Sequence, residues 1–394
     1  MAMTKRNNFK LVYAVGFAAY AVIYIGRFNF SVASAYYETA GMLTKAQIGI
    51  ITSLFAFVYA VSKIPDGFLG DMLPARNMII LGLVLSGVSN LMICFSERFL
   101  WIAIFWALNA FGQAMLWGPL LKDFKENYDS ETYRKIARTI GISIPAGSII
   151  GLWIASFSIE YLSIKACFLI PAVIILLTAA VVRGLFVNTG RAEGITISDE
   201  MHSLADIAKN KRLRQMLIPV ISHGMIKDNI TFWMAVFFVD AYQINVGAAA
   251  GYSFFIPVFT LLGRCAYSWL IRFLRDDYII TRSCFAICFV CSLLLAFVRL
   301  PAVIAMIMLG IISALIAIIN AHFLSSFPSE ISETAQLSFT ASFMDVLTYG
   351  GAGIGSLLFG FLISRFSFTG MFVVWAAASF ASFMIMRRIV PASQ

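Results

Sequence analysis

Charged side chains are scarce in this chain. Asp, Glu, Lys and Arg make up 12% of its 394 residues, whereas soluble domains average about 25%. Apolar residues make up 60% of the chain, and the mean hydropathy is +0.87. Water therefore cannot be the solvent for most of this surface, and the composition predicts an integral membrane protein.

Motifs that carry catalysis are missing from the sequence. It contains no phosphate-cradling glycine loop, no nucleophile elbow and no cluster of metal ligands at a recognisable spacing. These absences argue against an enzyme, against a bound cofactor and against a process driven directly by ATP. The N-terminal apolar stretch runs past residue 36 without a small-residue cleavage site, so we expect no cleavable signal peptide.

The six cysteines do not suggest a disulfide framework, because all of them fall within apolar runs. They stand at positions 94, 167, 265, 284, 288 and 291. Cys288 and Cys291 have the spacing of a redox motif, but no histidine or acid lies near them in the sequence. We expect small packing residues, with a metal or redox role for this pair as the alternative.

Long apolar runs are what the sequence has in abundance. A membrane-spanning helix needs about 20 mostly apolar residues. Twelve runs meet this requirement, near 10–36, 47–70, 75–96, 99–122, 134–158, 164–186, 213–240, 249–273, 279–298, 300–325, 335–364 and 368–388. The sequence therefore predicts an all-α membrane protein with twelve transmembrane helices.

Basic residues are distributed unevenly between the two sides of these helices. With the N-terminus in the cytoplasm, 20 of the 29 Lys and Arg residues fall at cytoplasmic helix ends and five in the opposite loops. Cytoplasmic loops are enriched in these residues. We therefore expect both termini in the cytoplasm and a plasma-membrane location, in particular a bacterial inner membrane. The net charge of +9 is largely this bias, so it does not indicate a nucleic-acid partner.

The two halves of the chain are weakly similar. The polar segment 187–212 separates residues 1–186 from residues 213–394, and we interpret it as a cytoplasmic linker. Three features recur at nearly one spacing: Arg27-Phe28-Asn29 with Lys227-Asp228-Asn229, Lys63 with Arg264, and Gly147-x-x-x-Gly151 with Gly351-x-x-x-Gly355. Parallel six-helix repeats form the halves of rocking transporters, which bind substrate between them. We therefore expect two pseudo-symmetric six-helix bundles, with simple helix packing as the alternative role of the glycines.

Four basic residues lie within the predicted apolar helices. They are Arg27, Lys63, Lys227 and Arg264. A cation at bilayer depth costs about 2.5–3.5 kcal/mol on insertion scales. Two acids, Asp228 and Asp345, are clearly at comparable depth. The resulting excess of positive charge within the helices favours an anion as the ligand of this protein.

Three of these cations are the main candidates for binding the anion. Arg27 offers a planar fork that matches a carboxylate or phosphate, whereas Lys63 and Lys227 act as point charges. A structural ion pair is the alternative for Arg27 and Lys227, and a side chain that reaches the cytoplasmic surface is the alternative for Lys63. Asn29 and Asn229, two positions after the paired cations, complete this group.

Other polar residues in the helices are candidates for coupling or gating. Arg264 and Asp345 belong to the same half and would form a gating or structural pair. Asp228 is a counter-ion or a proton carrier. Because adjacent residues point about 100° apart on a helix, we expect Asp228 and Lys227 not to share a partner.

Histidines and aromatic residues extend the predicted site. His223 lies one turn before Lys227 and is a candidate anion ligand, and His322 is a candidate for proton coupling. Hydrogen-bonded packing is the alternative for both. Four aromatic residues at helix depth offer hydroxyl or indole donors, with interface packing as their alternative role: Tyr24, Tyr59, Trp117 and Tyr349.

Short motifs across nearly the whole chain point to one family. They are Tyr24-Ile-Gly-Arg27-Phe-Asn29-Phe, Tyr59-Ala-Val-Ser62-Lys63 followed by Gly70-Asp71, Gly112-Gln113-Ala-Met-Leu-Trp117-Gly-Pro119, the Lys227 region, and Asn320-Ala-His322 leading to Pro328. Together they resemble the major facilitator superfamily and, within it, the organophosphate:phosphate antiporter family of glycerol-phosphate and hexose-phosphate transporters.

The resemblance implies roles for particular residues. In that family an arginine in helix 1 and a basic residue in helix 7 bind phosphate, aided by a lysine in helix 2, which matches Arg27, Lys227 and Lys63. Asp71 lies in a degenerate form of the superfamily's signature, which normally gates the cytoplasmic side. This chain departs from the family at two places: helix 7 has lysine where arginine is usual, and the segment around Ile144 lacks the histidine of some members.

The leading hypothesis is a monomeric secondary transporter without a cofactor. It would exchange an organophosphate for phosphate by rocker-switch alternating access, with a counter-anion or a proton as the coupled species. Two alternatives stay open: a carboxylate symporter for a hexuronate-like or dicarboxylate-like anion, and a transporter-like sensor of an external anion. A proton-coupled drug exporter would need an excess of embedded acids, and the excess here is basic.

Overall fold

The computed structural model describes residues 9–186, 210–331 and 337–389. Within these residues the chain is entirely helical and contains no strand. Ten of the described helices are long and apolar enough to span a membrane. The predicted all-α architecture is therefore confirmed, while residues 187–209 of the predicted linker lie outside the described part.

The first eight helices carry the first half of the predicted repeat. They are α1 (Phe9–Thr39), α2 (Lys45–Met72), α3 (Ala75–Cys94), α4 (Phe99–Ala114), α5 (Trp117–Asn127), α6 (Ser130–Thr139), α7 (Ser143–Phe157) and α8 (Ala166–Leu185). The main neighbours of α1 are α7 and α8, and α3 packs against α4 and α8.

The remaining helices follow the predicted linker. They are α9 (Lys211–Lys227), α10 (Asn229–Phe232), α11 (Met234–Tyr242), α12 (Val246–Leu274), α13 (Asp277–Phe297), α14 (Ala302–Ala321), α15 (Phe327–Ile331) and α16 (Leu337–Met386). A π-helical turn, His322–Ser326, connects α14 to α15. Helix α16 packs against α9 and α13, and α12 packs against α14.

The chain divides into two compact units. One unit comprises Met1–Met42 and Val61–Ile195, and the other comprises Leu43–Ala60 and Thr196–Gln394. The first part of α2 thus groups with the second unit, whereas the prediction placed all of this helix in the first half. The predicted boundaries at residues 186 and 213 stay a prediction.

Helix starts follow the chemistry of the residues that precede them. The carboxylates of Asp129 and Asp276 accept hydrogen bonds from backbone amides of the first turns of α6 and α13, and Asn245 does the same for α12. Pro74 and Pro301 precede α3 and α14. Side-chain caps satisfy amides that the helix itself cannot pair, so these positions fix where the helices begin.

The helix predicted over 213–240 is interrupted at two residues, Asp228 and Trp233, which keep right-handed helical dihedrals. Helix α9 ends at Lys227, and Asp228 and Trp233 separate the short α10 from its neighbours. Asn229 supplies a physical reason: its side-chain Nδ2 donates to the carbonyl of Met225 at 3.0 Å. A side chain that takes the acceptor four residues back competes with the backbone ladder, so it favours an interruption here.

The two helices predicted over 335–364 and 368–388 meet at a single residue, Ser367. The structure keeps helical geometry from Leu337 to Met386, except at Ser367, which adopts φ 54° and ψ −166°. One residue in the left-handed region changes the direction of the chain without a loop. The apolar pattern showed two runs, but it could not show that a single residue joins them.

The glycine pair of the first half brings two helices into backbone contact. A Cβ atom added at Gly147 of α7 would overlap the carbonyl oxygen of Ala21 in α1. A Cβ atom added at Gly151 would lie 2.7 Å from the Cα atom of Ile25. Only glycine permits this approach, which fixes α7 against the turns of α1 that precede Arg27.

The glycine pair of the second half makes the corresponding contact. A Cβ atom at Gly351 of α16 would overlap the carbonyl oxygen of Ile221 in α9, and one at Gly355 would lie 3.2 Å from the Cα atom of Met225. The contacted residues of α9 stand 200 positions after Ala21 and Ile25. The contacts therefore support both the packing role of the glycines and the internal repeat.

Candidate functional site

Arg27 is buried in the middle of α1. Its residue surface is 2% exposed, and its guanidinium carbon lies 5.6 Å from the ring centre of Tyr24 and 6.0 Å from that of Phe28. Guanidinium groups at this distance from an aromatic face are stabilised by the ring quadrupole. The first unit thus holds a permanent positive charge at helix depth.

Aromatic rings continue from this arginine toward the start of α5. Tyr20 packs edge-on against Tyr24 at 5.6 Å between ring centres, and its ring is tilted against that of Trp117 at 4.7 Å. Tyr24 is buried, and Trp117 is half-buried. The predicted residues Tyr24, Arg27 and Trp117 therefore belong to one aromatic row, in which Tyr20 is the connecting member that the sequence argument did not include.

Lys227 is the corresponding cation of the second unit. Its ammonium lies 4.5 Å from the ring centre of Tyr349 and 3.9 Å from Oδ1 of Asp228. The expectation that Asp228 and Lys227 do not share a partner stays a prediction, while the two charged groups themselves lie near each other across the end of α9. At 3.9 Å the two charges attract each other without a normal hydrogen bond.

An aromatic row also runs through the second unit. Tyr349 lies 4.4 Å from Tyr59, which stacks on Phe55 at 6.3 Å. Tyr59 and Tyr349 are both buried. The structure thus brings together Lys227, Tyr349 and Tyr59, three residues that the sequence named for different helices.

The two predicted asparagines are fully buried and bind neighbouring helices. Asn29 donates to Oδ1 of Asn90 at 2.9 Å and to the carbonyl of Cys167 at 3.1 Å. Asn229 donates to the carbonyl of Ala352 at 3.0 Å and accepts from the Ser356 hydroxyl at 2.6 Å. In both units the asparagine two residues after the cation joins that helix to its neighbours.

The predicted histidines lie in apolar surroundings of the second unit. His223 is buried, and its ring lies 5.7 Å from that of Phe323. His322 begins the π-helical turn, and its Nδ1 is 2.7 Å from the Thr281 hydroxyl. His322 thus has a hydrogen bond of the kind that the packing alternative expects, whereas neither ring nitrogen of His223 has a hydrogen-bond partner among the described residues.

The remaining predicted residues are dispersed. Lys63 is half-buried in α2, and the Asp71 side chain lies outside the described part. Arg264 in α12 and Asp345 in α16 are both half-buried. No ion pair joins these two residues in the part of the chain that the structure describes, so their pairing has no structural support.

Two ion pairs of the second unit were missed by the sequence argument. Lys45 binds Asp240 at 2.7 Å, and Arg212 binds Glu330, which also accepts a hydrogen bond from Tyr278 at 2.8 Å. Each pair joins helices far apart in sequence. Residues at helix ends were assigned to the surface, so nothing in the pattern indicated which acid each cation would meet.

A cluster of amide side chains beside Arg27 was missed as well. Asn90, Asn109 and Gln113 are all buried and all donate to carbonyl groups of α1. A signal was present: Asn109 and Gln113 are four residues apart and so share one face of an apolar helix.

All six cysteines are free, and five of them are buried. The described residues contain no group of three or more His, Cys, Asp or Glu side chains that could hold a metal ion.

Comparison with characterised proteins identifies relatives among membrane proteins. A segment of 94 residues is 38% identical to the membrane sensor protein UhpC of Salmonella typhimurium, covering 24% of this chain and 21% of that protein. A longer segment of 246 residues is 22% identical to a probable hexose phosphate transport protein of Chlamydia trachomatis, covering 58% of this chain and 53% of the relative. The chain thus spans between about a fifth and about half of the length of these relatives.

Solved structures and family comparison agree on the fold. A crystal structure of a POT family transporter superimposes with a TM-score of 0.81 at 11% identity, covering 97% of this chain and 96% of that one. The family description "Major Facilitator Superfamily" matches residues 16–347. Transporter families of this kind are not enzymes, in agreement with the missing catalytic motifs. The chain is a multi-pass membrane protein that belongs to the Major Facilitator Superfamily.

Proposed function

We propose that this protein moves a small organic anion across the membrane, with an organophosphate such as a sugar or glycerol phosphate as the substrate class. The observation that carries this proposal is the cation that each unit holds at helix depth against buried aromatic rings. Arg27 and Lys227 occupy matching places of the internal repeat.

The chemistry of the two cations suits a phosphate group. Arg27 can bind two oxygens of a phosphate with its planar fork, and the Lys227 ammonium can contact a phosphate oxygen as a point charge. Within the described residues the Lys227 ammonium has no hydrogen-bond acceptor, since Asp228 lies at 3.9 Å. An arriving anion would therefore add hydrogen bonds to Lys227 without first breaking one. Lys63 would add a further positive charge.

The relatives narrow the substrate class. One of them is named as a probable hexose phosphate transport protein, and a phosphorylated sugar carries the negative charge that a buried cation attracts. Exchange against inorganic phosphate follows as the simplest coupling, because both anions fit the same charges. An anion would bind to the carrier on each side of the membrane in turn, in an alternating-access cycle of the rocker-switch type.

We also propose twelve membrane spans with both termini in the cytoplasm. Dividing Phe343–Met386 at Ser367 gives two spans in place of one, and α9 with α10 and α11 gives one more, which raises the ten continuous candidates to twelve. The bias of Lys and Arg supports the cytoplasmic termini. A bacterial inner membrane and a monomer complete the proposal, with six-helix halves at 1–186 and 213–394.

Counterflow in liposomes tests the proposal. Purified protein is reconstituted into liposomes loaded with inorganic phosphate, and uptake of labelled glucose 6-phosphate, glycerol 3-phosphate and a hexuronate is measured. We expect uptake of a phosphate ester that needs internal phosphate. Uptake of the hexuronate alone, driven by a proton gradient, would replace the proposal by the carboxylate symporter.

A sensor is the second candidate, because the segment most similar in identity among the relatives described above belongs to a membrane sensor protein. A sensor of this fold would bind the anion from one side and would not exchange it. Saturable binding of glucose 6-phosphate to the detergent-solubilised protein, together with no counterflow under the same conditions, would favour the sensor. Counterflow at a rate that rises with protein content would exclude it.

A further inference from the structure

Three amide side chains converge on one carbonyl group of α1, that of Gly26. Asn109 donates to this oxygen at 2.8 Å, Asn90 at 3.3 Å and Gln113 at 3.5 Å. Gln113 also donates to the carbonyl of Ile23 at 3.0 Å. Side chains from α3 and α4 therefore hold the turn of α1 immediately before Arg27.

The amides form a connected network. Asn109 Oδ1 accepts from the Ser86 hydroxyl at 2.6 Å and from Gln113 Nε2 at 3.0 Å. Asn90 Oδ1 accepts from Asn29 at 2.9 Å. Every amide side chain of this network is fully buried. Each of these bonds restricts the orientation of the next group, while Oδ1 of Asn29 and Oε1 of Gln113 have no hydrogen-bond partner among the described residues.

The location of the shared acceptor gives the network its effect. The carbonyl of Gly26 and the backbone nitrogen of Arg27 belong to one planar peptide unit. Fixing the direction of this carbonyl therefore fixes the plane from which the Arg27 side chain departs. The direction of this plane matters because bidentate binding requires the guanidinium fork to match two oxygens of the anion.

Gly26 itself is part of the arrangement. A Cβ atom at this position would lie 2.6 Å from Cδ1 of Ile175 and 3.0 Å from Nδ2 of Asn90. The absence of a side chain is what lets the Asn90 amide approach the backbone of α1. The glycine and the amides thus act together on one peptide unit.

We infer that Asn90, Asn109 and Gln113 are positioning residues that orient Arg27 for the substrate anion. The inference rests on the proposed function and deepens it, since it names the residues that hold the anion-binding arginine in place. These amides do not touch the substrate. They act through the Gly26–Arg27 peptide unit, and the second unit has no matching set of three amides among its described residues.

Binding measurements on the purified full-length protein test this inference. Gln113→Met and Asn109→Leu keep the volume of the side chain but remove the donors, and the dissociation constants for inorganic phosphate and glycerol 3-phosphate are measured by calorimetry in detergent. We expect each variant to weaken binding about three- to ten-fold, the range of one lost hydrogen bond. Gln113→Glu, which places an acceptor against two carbonyls, should weaken binding at least as much.

Ser89→Ala is the matched control. Ser89 is also buried in α3, one residue before Asn90, but its hydroxyl bonds only to the carbonyl of Leu85 within the same helix. Its loss should leave the dissociation constants unchanged. An equal loss of affinity in Ser89→Ala and Gln113→Met would show a general packing effect and would overturn the inference.

A double-mutant cycle separates positioning from stability. Arg27→Lys removes the planar fork, so little orientation is left for the amides to provide. Gln113→Met should then weaken phosphate binding less than two-fold in the Arg27→Lys background, compared with three- to ten-fold in the wild type. Additive losses would assign Gln113 a structural role only.

The outcomes also separate this inference from the proposed function. If the wild type binds neither inorganic phosphate nor glycerol 3-phosphate, the proposed function is wrong and the inference falls with it. If the wild type binds them and Gln113→Met binds equally tightly, the inference alone is wrong. If Gln113→Met does not fold, Asn109→Leu and Gln113→Glu decide by the same comparison.

Discussion

The regions around Arg27 and Lys227 share the same helix-packing contacts but differ in the continuity of the helix that carries the cation. Arg27 lies within an unbroken helix, whereas Lys227 is the last residue of α9 and is followed by a break. In each unit a glycine pair from another helix contacts the preceding turns, and an asparagine two residues later joins neighbouring helices. The repeat has kept the packing and changed the backbone at the cation itself.

This difference separates a fixed charge from an adjustable one. Three amides fix the peptide unit before Arg27, while Lys227 stands at a helix end beside its own counter-ion, Asp228. A long flexible lysine side chain at a helix end can move with an anion, whereas a guanidinium whose backbone is held by hydrogen bonds cannot. We therefore expect Arg27 to select the anion and Lys227 to accompany its movement.

Removing the fixed charge should have the largest effect. Arg27→Ala deletes the only buried guanidinium of the aromatic row in the first unit, and we expect transport to fall by at least about 100-fold. Counterflow of glycerol 3-phosphate in phosphate-loaded liposomes measures this. Arg27→Lys keeps the charge without the planar fork, so its counterflow should lie between that of the wild type and that of Arg27→Ala. Wild-type counterflow in Arg27→Ala would remove Arg27 from the site.

Changing the adjustable charge should have a smaller effect that depends on chemistry. Lys227→Ala should lower counterflow at least about 10-fold, because a charge-assisted contact is lost. Lys227→Arg should keep activity. It should change the relative affinity for glycerol 3-phosphate and glucose 6-phosphate, since the larger guanidinium places its donors at different positions from the ammonium. Competition assays against labelled phosphate give this ranking. An identical ranking in Lys227→Arg and wild type would contradict an adjustable role.

The shared plan predicts equal sensitivity at the glycines of both units. Gly147→Ala would overlap the carbonyl of Ala21, and Gly351→Ala would overlap that of Ile221. Each should destabilise the fold by about 1–3 kcal/mol, the usual cost of overpacking, and lower the melting temperature in detergent. Gly184→Ala is the control, since a Cβ atom there meets nothing within 4 Å. A melting temperature in either variant equal to that of Gly184→Ala would disprove the close packing.

The sequence predicted the charges of the site better than their surroundings. Arg27 and Lys227 stood out because a cation in an apolar run is costly and therefore conspicuous. Asn90 and Asn109 did not, because a neutral amide in an apolar helix carries no charge to balance. Only the spacing of Asn109 and Gln113 on one helix face hinted at them. Polar networks of this kind depend on which helices are neighbours, which a single sequence does not give.

Helix breaks and pairings were the least predictable features. The apolar run through Asp228 looks continuous, because the interruption depends on a side-chain hydrogen bond from Asn229 to Met225. The pairing of Arg264 with Asp345 was inferred from their shared half of the chain and their depth. Neither quantity fixes the rotation of a helix about its axis, and that rotation decides which side chains meet.

The smallest predicted effect concerns the counter-ion of the adjustable charge. Asp228→Asn keeps the shape of the side chain and removes its negative charge, which lies 3.9 Å from the Lys227 ammonium. Because no normal hydrogen bond joins the two at this distance, only a modest attraction of up to about 1 kcal/mol is lost. The freed charge of Lys227 should then bind the anion up to about five-fold more tightly, as calorimetry with inorganic phosphate would measure. Binding weakened ten-fold would instead mean that Asp228 holds Lys227 in its working position, and the second cation would be as firmly built as the first.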